Sequence, residues 1–182
     1  MRADRLAVFL DRDGTIIHDQ RYLSDPALVV PVPGAASAIA RLRAAGYAIV
    51  VITNQSGLAR GLVTAEQYEA VRERTDSVFA AAGAAIDATY MCPHHPAFTG
   101  PCDCRKPGVE LYTRAAKDLG IDLQRSVLIG DRWSDVAAAP ALGGRGILIP
   151  GPDTPAAETN RATREGIVAP SLEAAASAIL AS

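Results

Sequence analysis

The stretch LAVFLDRDGT, residues 6–15, sets five apolar residues directly before an acidic pair. The apolar residues 6–10 predict a short buried β-strand, because a strand covered on both faces of its sheet reads as a continuous hydrophobic run. Asp11 and Asp13 follow where the strand opens into a loop, and Gly14 permits a sharp turn there. Two carboxylates this close repel each other unless a cation or a proton compensates them, and Mg²⁺ is a cation that takes oxygen ligands. The prediction is a strand that ends in a magnesium site, with a solvated acidic turn as the alternative for these residues alone.

Length and composition predict one globular domain, residues 1–182, without a nucleic-acid or membrane partner. Hydrophobic residues make up 49% of the sequence, which is enough to bury a core. The 18 Lys and Arg residues against 20 Asp and Glu residues give a net charge of −2, whereas a nucleic-acid-binding protein should carry a basic surplus. No apolar run approaches the ~20 residues of a membrane span, and residues 6–10 are too short for a secretory signal. We expect a cytoplasmic protein, and a monomer because the sequence has no long apolar stripe or coiled-coil repeat.

Further apolar runs alternate with helical patterns along the chain. Strands are predicted at residues 48–52, 86–91, 127–129 and 146–149, and helices at 34–45, from Thr64 onward, at 108–119, at 134–142 and at 171–180. Thr64 and Gln67 have the spacing of a capping box, in which each side chain hydrogen-bonds the main chain of the other residue. Pro140 interrupts the helix predicted at 134–142. Strands that alternate with helices in this way predict an α/β fold, with a parallel sheet covered by helices on both faces.

Polar residues follow the later strands, at positions where ligands bind in parallel sheets. They are Thr53 and Asn54 after the second strand, Arg105 and Lys106 before the helix at 108–119, and Asp131 and Asp135 after the strand at 127–129. The hydroxyl and the amide can donate hydrogen bonds to phosphate oxygens, the basic pair supplies fixed positive charge, and the two acids can bind a cation. An ordinary turn, a surface basic pair and a helix N-cap would each account for one of these groups alone. Their order along successive strand ends predicts one phosphate- and metal-binding site.

All three cysteines lie within residues 92–104, in a turn-rich segment next to the basic pair. Three is an odd number for a disulfide framework, and clustered thiols in a reducing compartment indicate a metal site. Three thiolates and one imidazole would satisfy a tetrahedral structural zinc. The four ligands would be Cys92, His94, Cys102 and Cys104. Free buried thiols beside an exposed histidine pair, of which His95 is the second member, are the alternative. A zinc-binding loop over about residues 92–107 would hold the basic pair in place.

The motifs DRDGT at 11–15, Thr53-Asn54, Lys106 and GDRWSD at 130–135 resemble, in this order, the signatures of the haloacid dehalogenase superfamily of phosphohydrolases. The resemblance covers nearly the whole chain. It implies a Rossmann-like, three-layer α/β/α fold with a mostly parallel central sheet, dependence on Mg²⁺ and an aspartyl-phosphate intermediate.

The same resemblance implies a role for each matched residue. Asp11 would be the nucleophile that attacks phosphorus, and Asp13 would protonate the leaving alcohol and then activate water. The residues that would hold the phosphoryl oxygens are Thr53 and Lys106, with Asn54 nearby in the substrate loop. Those that would bind Mg²⁺ are Asp11, Asp131 and the backbone carbonyl of Asp13, with Asp135 in support.

The cysteine-rich loop, together with TNQSGLARG at 53–61 and CDCRKP at 102–107, resembles one subgroup, the D-glycero-D-manno-heptose 1,7-bisphosphate 7-phosphatases. The subgroup lacks a large cap domain, and this chain has no insertion long enough to form one. The resemblance implies hydrolysis of a small phosphorylated sugar in nucleotide-activated heptose biosynthesis, with Arg60 and Arg105 as candidates for holding its second phosphate. Histidinol-phosphate phosphatases share the loop. Hydrolysis of histidinol phosphate, or of another small phosphomonoester, is therefore the alternative within the class. A catalytically dead, zinc-stabilised binding protein is the alternative from another class.

Overall fold

A five-stranded sheet runs through the centre of the molecule, and all of its strands are parallel. The structure, a computed structural model, describes residues 4–182, so residues 1–3 of the predicted domain lie outside the described part of the chain. The strands are β1 Ala7–Leu10, β2 Ala48–Asn54, β3 Ala88–Cys92, β4 Val127–Gly130 and β5 Arg145–Leu148. They lie in the order β3-β2-β1-β4-β5. This order places β1, which is followed by the acidic motif, in the middle of the sheet.

Helices cover both faces of this sheet. In the described residues they are α1 Ala35–Ala44, α2 Ser56–Ala59, α3 Ala65–Ala81, α4 Pro96–Thr99, α5 Glu110–Leu119, α6 Trp133–Val136, α7 Ala139–Leu142, α8 Ala156–Arg164 and α9 Leu172–Leu180. Two short 3-10 helices are Pro26–Leu28 and Leu123–Arg125. The predicted Rossmann-like, three-layer α/β/α fold is confirmed.

The two cores of the molecule follow from the alternation of side chains along each strand. Val8 and Leu10 of β1 belong to one core, into which α1, α3 and α9 pack. Ala7 and Phe9 belong to the second core, to which α5 and α7 contribute. Phe9 meets Tyr112 of α5 edge to face, with ring centroids 5.3 Å apart. Because both faces are covered, every residue of β1 is buried, which explains its continuous apolar sequence.

Several elements differ from the prediction, among them the short helices α2 and α4, which are not predicted. Strand β2 extends to Asn54, so the polar pair at 53–54 stands on the strand and not after it. The helix predicted at 134–142 is two short helices, α6 and α7, and Pro140 lies in the first turn of α7, where a main-chain N–H has no helical partner to lose. Helix α8 is not predicted from the sequence, because only Ala162 of its 9 residues is buried and the segment has no apolar face.

Loops border the carboxyl end of the sheet, and the described residues contain no cap domain above it. Residues 11–34 connect β1 to α1, and residues 93–109 connect β3 to α5. Between residues 4 and 182, no helix combines the length and the apolar character that a membrane crossing requires. The strand ends are therefore left for the loops to shape into a site.

The capping box at the start of α3 gives a test of the predicted helix start. Thr64 Oγ1 accepts a hydrogen bond from the N–H of Gln67 at 3.2 Å, and Gln67 Oε1 accepts one from the N–H of Thr64 at 2.9 Å. Because Thr64→Ala leaves an N–H of the first turn without its partner, we expect it to lower the free energy of unfolding in urea by about 1 kcal/mol. Thr163→Ala, inside the exposed helix α8, removes a threonine that caps nothing and is the control. An equal loss of stability in the two variants would contradict the role of the cap.

Candidate active site

A cavity of about 190 Å³ opens where β1, β2 and β4 end. Parallel strands bring their carboxyl ends to one edge of the sheet, so residues far apart in the sequence meet there. The lining includes every residue predicted to bind phosphate or Mg²⁺ except Arg60: Asp11, Asp13, Thr53, Asn54, Arg105, Lys106 and Asp131. Asp135 also lines it.

Lys106 is the positive centre of this cavity. Its ammonium group donates to Asp11 Oδ1 at 2.5 Å, to Asp135 Oδ1 at 2.8 Å and to the carbonyl of Ile52 at 2.7 Å. A lysine ammonium has three hydrogens, so these contacts satisfy it completely. Burial disfavours the charge of this side chain, which is 4% exposed, but Asp11 and Asp135 outweigh that effect and raise the pKa of Lys106 above its usual value. Lys106 is therefore a permanent cation beside Asp11.

Three carboxylates crowd the same point, with one oxygen each of Asp11, Asp131 and Asp135 within 4.8 Å of the other two. Burial raises the pKa of Asp11 well above its usual range, and Lys106 opposes this effect. Burial also raises the pKa of Asp131 to about 7, and the charge of Asp135 adds to the shift. The Lys106 ammonium and the Arg132 guanidinium, whose Nε lies 3.5 Å from Asp131 Oδ2, do not balance these three acids, whereas a divalent cation with oxygen ligands would. The donor set therefore fits Mg²⁺.

Asp135 has both of its carboxylate oxygens engaged by the protein. Oδ1 accepts from Lys106, and Oδ2 accepts from the main-chain N–H of Arg132 at 2.9 Å. The carbonyl of Asp131 accepts a hydrogen bond from Thr154 Oγ1 at 2.7 Å, and its side chain has one charged partner, Arg132, whose Nε lies 3.5 Å from Oδ2. The assignment of Asp131 as a ligand of the cation and of Asp135 as its support stays a prediction.

Two glycines allow the acids to pack so closely. A Cβ at Gly130 would lie 2.3 Å from Asp135 Oδ2, and a Cβ at Gly14 would lie 2.7 Å from Asp131 Oδ2. Real Cβ atoms do not approach other atoms at these distances, so each acidic side chain occupies the space that a larger residue would need. The glycines of the DRDGT and GDRWSD motifs are thus required by the carboxylates beside them.

Asn54 acts on the main chain of Lys106. Its Oδ1 accepts from the N–H of Lys106 at 3.0 Å, and its Nδ2 donates to the carbonyl of Lys106 at 3.4 Å. The end of β2 thereby fixes the loop residue that carries the ammonium. Asn54, which is expected near the substrate from the sequence, therefore also has a structural contact with Lys106.

Arg60 lines neither this cavity nor an adjoining cavity of about 210 Å³, and its expected role in holding a second phosphate stays a prediction. Its Nη2 lies 2.9 Å from His95 Nε2, and its guanidinium carbon lies 4.9 Å from the centre of the Phe98 ring. The side chain therefore holds the loop that contains α4. Arg105, the other candidate, does line the cavity, and its Nη1 donates to the carbonyl of His94 at 3.2 Å.

Three further arginines that the sequence analysis did not single out border the site. Arg132 lines the main cavity, and Arg12 and Arg21 line a neighbouring cavity of about 210 Å³. Asp13 and Asn54 belong to both linings, so the two cavities adjoin. Arg12 and Arg132 sit inside the DRDGT and GDRWSD motifs, which was the available signal, whereas Arg21 lies in a loop without a local pattern.

The three cysteines come together after β3. Cys102 Sγ lies 3.7 Å from Cys92 Sγ and 3.6 Å from Cys104 Sγ, which is too far for a disulfide bond. Burial raises the pKa of the Cys92 and Cys104 thiols above their usual values. Within residues 4–182, no ring nitrogen of His94 lies within 4.8 Å of all three sulfur atoms. The structure thus gathers three of the four predicted zinc ligands, and His94 as the fourth stays a prediction.

Comparison of the sequence with known proteins gives close relatives. The family model described as HAD-hydrolase-like matches residues 103–175. The D-glycero-beta-D-manno-heptose-1,7-bisphosphate 7-phosphatase of Escherichia coli O6:H1 is 40% identical over 160 residues, which are 84% of this chain and 84% of that protein. The enzyme of the same name from Photorhabdus laumondii is 42% identical over 138 residues, 73% of each chain.

A solved structure shares both the fold and the extent of the chain. The crystal structure of D,D-heptose 1,7-bisphosphate phosphatase from B. bronchiseptica, complexed with magnesium and phosphate, superposes with a TM-score of 0.83. It is 32% identical in sequence, and the match covers 98% of this chain and 99% of that one.

Substitution of Gly14 tests whether the packing of the acids matters to the chemistry. Gly14 has a φ of +84° and a Cβ there would meet Asp131, whereas Gly46 has a φ of +90° and a Cβ there would meet nothing within 4 Å. Gly46→Ala is therefore a control that carries the same backbone strain, about 1 kcal/mol, without the contact. We expect Gly14→Ala alone to slow phosphate release from p-nitrophenyl phosphate, by about tenfold or more. Equal activity of the two variants would show that Asp131 tolerates displacement.

Proposed function

We propose a substrate and a mechanism for this chain, which belongs to the HAD-like hydrolase family and is a phosphatase. It hydrolyses the 7-phosphate of D-glycero-β-D-manno-heptose 1,7-bisphosphate, and Asp11 carries the phosphoryl group during the reaction. The single observation that carries the mechanism is the buried Lys106 ammonium 2.5 Å from Asp11 Oδ1. A carboxylate attacks an anionic phosphate ester only where positive charge offsets their repulsion. The substrate is proposed from the relatives, which carry the name of this reaction.

The reaction proceeds in two displacements. In the first, an oxygen of Asp11 bonds to phosphorus while the bond from phosphorus to the sugar oxygen breaks, and Asp13 gives its proton to that departing oxygen. In the second, Asp13 takes a proton from water while the water oxygen bonds to phosphorus and the Asp11 bond breaks. The products are inorganic phosphate and the sugar with a free hydroxyl group, and Asp13 is protonated again. Thr53 lines the cavity where its hydroxyl can hold a phosphoryl oxygen, and Lys106 could hold another only by giving up one of its three present contacts.

Mg²⁺ is part of this proposal, and the residues that would hold it are Asp11 and Asp131, with Asp135 in support. When bound, the ion supplies positive charge that neutralises the phosphoryl group and the crowded carboxylates. The crowding itself supports the assignment, because burial raises the pKa of both Asp11 and Asp131 in the protein alone. The related enzyme that was crystallised with magnesium and phosphate gives independent support.

The distribution of arginines favours a bisphosphate substrate over histidinol phosphate. Arg105 and Arg132 line the main cavity, and Arg12 and Arg21 line the adjoining one. Guanidinium groups match phosphate oxygens in two-pronged contacts, so Arg105 and Arg132 in one cavity and Arg21 in the other are the candidates for a second phosphate, since the Arg12 guanidinium is bound to Asp13. The monomeric state and the cytoplasmic location stay predictions.

Substitution of the nucleophile tests the mechanism. In Asp11→Asn the amide cannot form the phosphoryl intermediate, so we expect phosphate release to fall by roughly a thousandfold or more. Lys106 keeps Asp135 as its partner, so the thermal midpoint should stay near that of the unchanged protein. Asp118→Asn, an exposed acid on α5 that bonds Tyr90, is the control and should remain active.

The substrate is tested in the same assay. Phosphate release is compared for the β and α anomers of the heptose bisphosphate, fructose 1,6-bisphosphate and histidinol phosphate. We expect the β heptose bisphosphate to be preferred by at least about tenfold, which corresponds to ~1.4 kcal/mol in the barrier. Turnover retained in Asp11→Asn would discard the covalent mechanism, and a preference for histidinol phosphate would discard the substrate.

A structural zinc at the three cysteines is proposed on the spacing of their sulfur atoms. Sulfur ligands about 2.3 Å from a tetrahedral zinc are separated by about 3.8 Å. The two Sγ–Sγ distances of 3.7 and 3.6 Å lie close to this value. Zinc would pin the loop that ends at Lys106, with His94 as the fourth ligand.

Metal analysis of the purified protein tests this site. We expect one zinc per chain, because three thiols and an imidazole form a closed tetrahedral site. Cys102→Ser should lose the zinc and melt at a lower temperature. Asp103→Asn changes an exposed residue of the same loop and should keep the metal, which makes it the control. Protein that contains no zinc when freshly purified would exclude the structural site.

A further inference from the structure

Gln55 contacts two residues of the proposed reaction at once. It follows Asn54 at the end of β2 and is buried, with 8% of its surface exposed. Its Nε2 lies 2.8 Å from Asp13 Oδ2 and 2.8 Å from Thr53 Oγ1. An amide nitrogen has two hydrogens, so it can donate to both oxygens together. The reverse orientation would set the amide oxygen of Gln55 against the carboxylate, so only this orientation makes Gln55 a donor to Asp13.

The main chain of Gln55 is fixed on both sides of its Cα. Its N–H donates to the carbonyl of Cys92 at 2.8 Å, which ties the residue to the end of β3. Its carbonyl accepts a hydrogen bond from the N–H of Leu58 at 3.2 Å, at the start of α2. The position of the Gln55 Cα is therefore fixed by main-chain hydrogen bonds, and its side chain reaches Asp13 from there.

Arg12 binds the same oxygen of Asp13. Its Nε lies 3.1 Å and its Nη2 3.0 Å from Asp13 Oδ2. Arg12 is 2% exposed, and its guanidinium lies over the Tyr68 ring, 5.7 Å from the ring centre. In the part of the chain from residue 4 to 182, Asp13 Oδ1 receives no hydrogen bond from the protein. One oxygen of this carboxylate is thus held by two buried side chains, and the other is left for a ligand in the cavity.

We infer that Gln55 is a positioning residue for Asp13, the general acid and base of the reaction, and this role rests on the proposed function. The proton on Oδ1 goes to the sugar oxygen as that oxygen leaves phosphorus and Asp11 bonds to it. In the second step Oδ1 takes a proton from the attacking water as the Asp11 bond breaks. With Oδ2 held by Gln55 and Arg12, the same oxygen is presented in both steps. The contact with Thr53 keeps the acid aligned with a group that holds the phosphoryl oxygens.

The dependence of the rate on the leaving group separates positioning from a structural role. Gln55→Met keeps the length of the side chain and removes both N–H donors. A sugar alkoxide leaves only with a proton from the acid, whereas p-nitrophenolate leaves without one. We expect kcat/KM to fall about tenfold or more with the heptose bisphosphate and less than about threefold with p-nitrophenyl phosphate. Gln124→Met, at an exposed position in the 3-10 helix Leu123–Arg125, is the matched control and should match the unchanged protein with both substrates.

A second variant and a reference variant make the result decisive. Gln55→Glu has the same shape but sets an oxygen against Asp13, so it should show the same dependence on the leaving group with a larger loss. Equal losses with the two substrates, or no loss with either, would overturn the positioning role. In Asp13→Asn the loss with the sugar substrate should exceed that of both variants. Full activity of Asp13→Asn would instead refute the proposed mechanism, and the role of Gln55 with it.

Discussion

A buried ammonium between two carboxylates is the interaction on which this architecture depends. Lys106 donates to Asp11, to Asp135 and to the carbonyl of Ile52, which lie after β1, after β4 and within β2. Removal of the one ammonium that serves both acids would cost about 3–5 kcal/mol, because the remaining carboxylates would have no compensation. The acids are therefore tolerated only with Lys106 present, and Lys106 only with the acids. The strand order, with β1 between β2 and β4, is what brings the acceptors to one point.

The loop that delivers Lys106 has to be as well fixed as the strands that deliver its partners. Asn54 bonds both the N–H and the carbonyl of Lys106, so the end of β2 grips the main chain from one side. Cys104 precedes Lys106 by two residues and lies in the thiol cluster with Cys92, the last residue of β3. Zinc bound there would serve catalysis by holding this loop, with no contact to substrate. The cysteine cluster and the active site are therefore linked through the short segment from Cys104 to Lys106.

The sequence predicts the strands and the acids of this site because both depend on local patterns, a continuous apolar run and a motif at its end. The sequence does not predict which side chains contact each other across the site. Asn54 and Lys106 are 52 residues apart, and no period within either segment encodes their pairing. Arg60 was expected at the substrate for its charge, yet His95 and Phe98, which pack against it, come from a different loop. Helix α8 escapes prediction for another reason, since a helix with one buried residue shows no apolar face.

Asp11 and Asp13 have the same side chain, so their different roles must come from what surrounds them. Burial raises the pKa of Asp11, and the Lys106 ammonium opposes this shift and so favours the ionised carboxylate, which is the form that attacks phosphorus in the proposed mechanism. Asp13 is held at one oxygen and open at the other, which suits a group that must give and regain a proton at the same atom. Arg12 lies between them in the sequence. Its guanidinium donates to Asp13 and, within residues 4–182, makes no hydrogen bond to Asp11. In the proposed mechanism, the three consecutive residues therefore carry a nucleophile, a group that distinguishes the two carboxylates, and an acid.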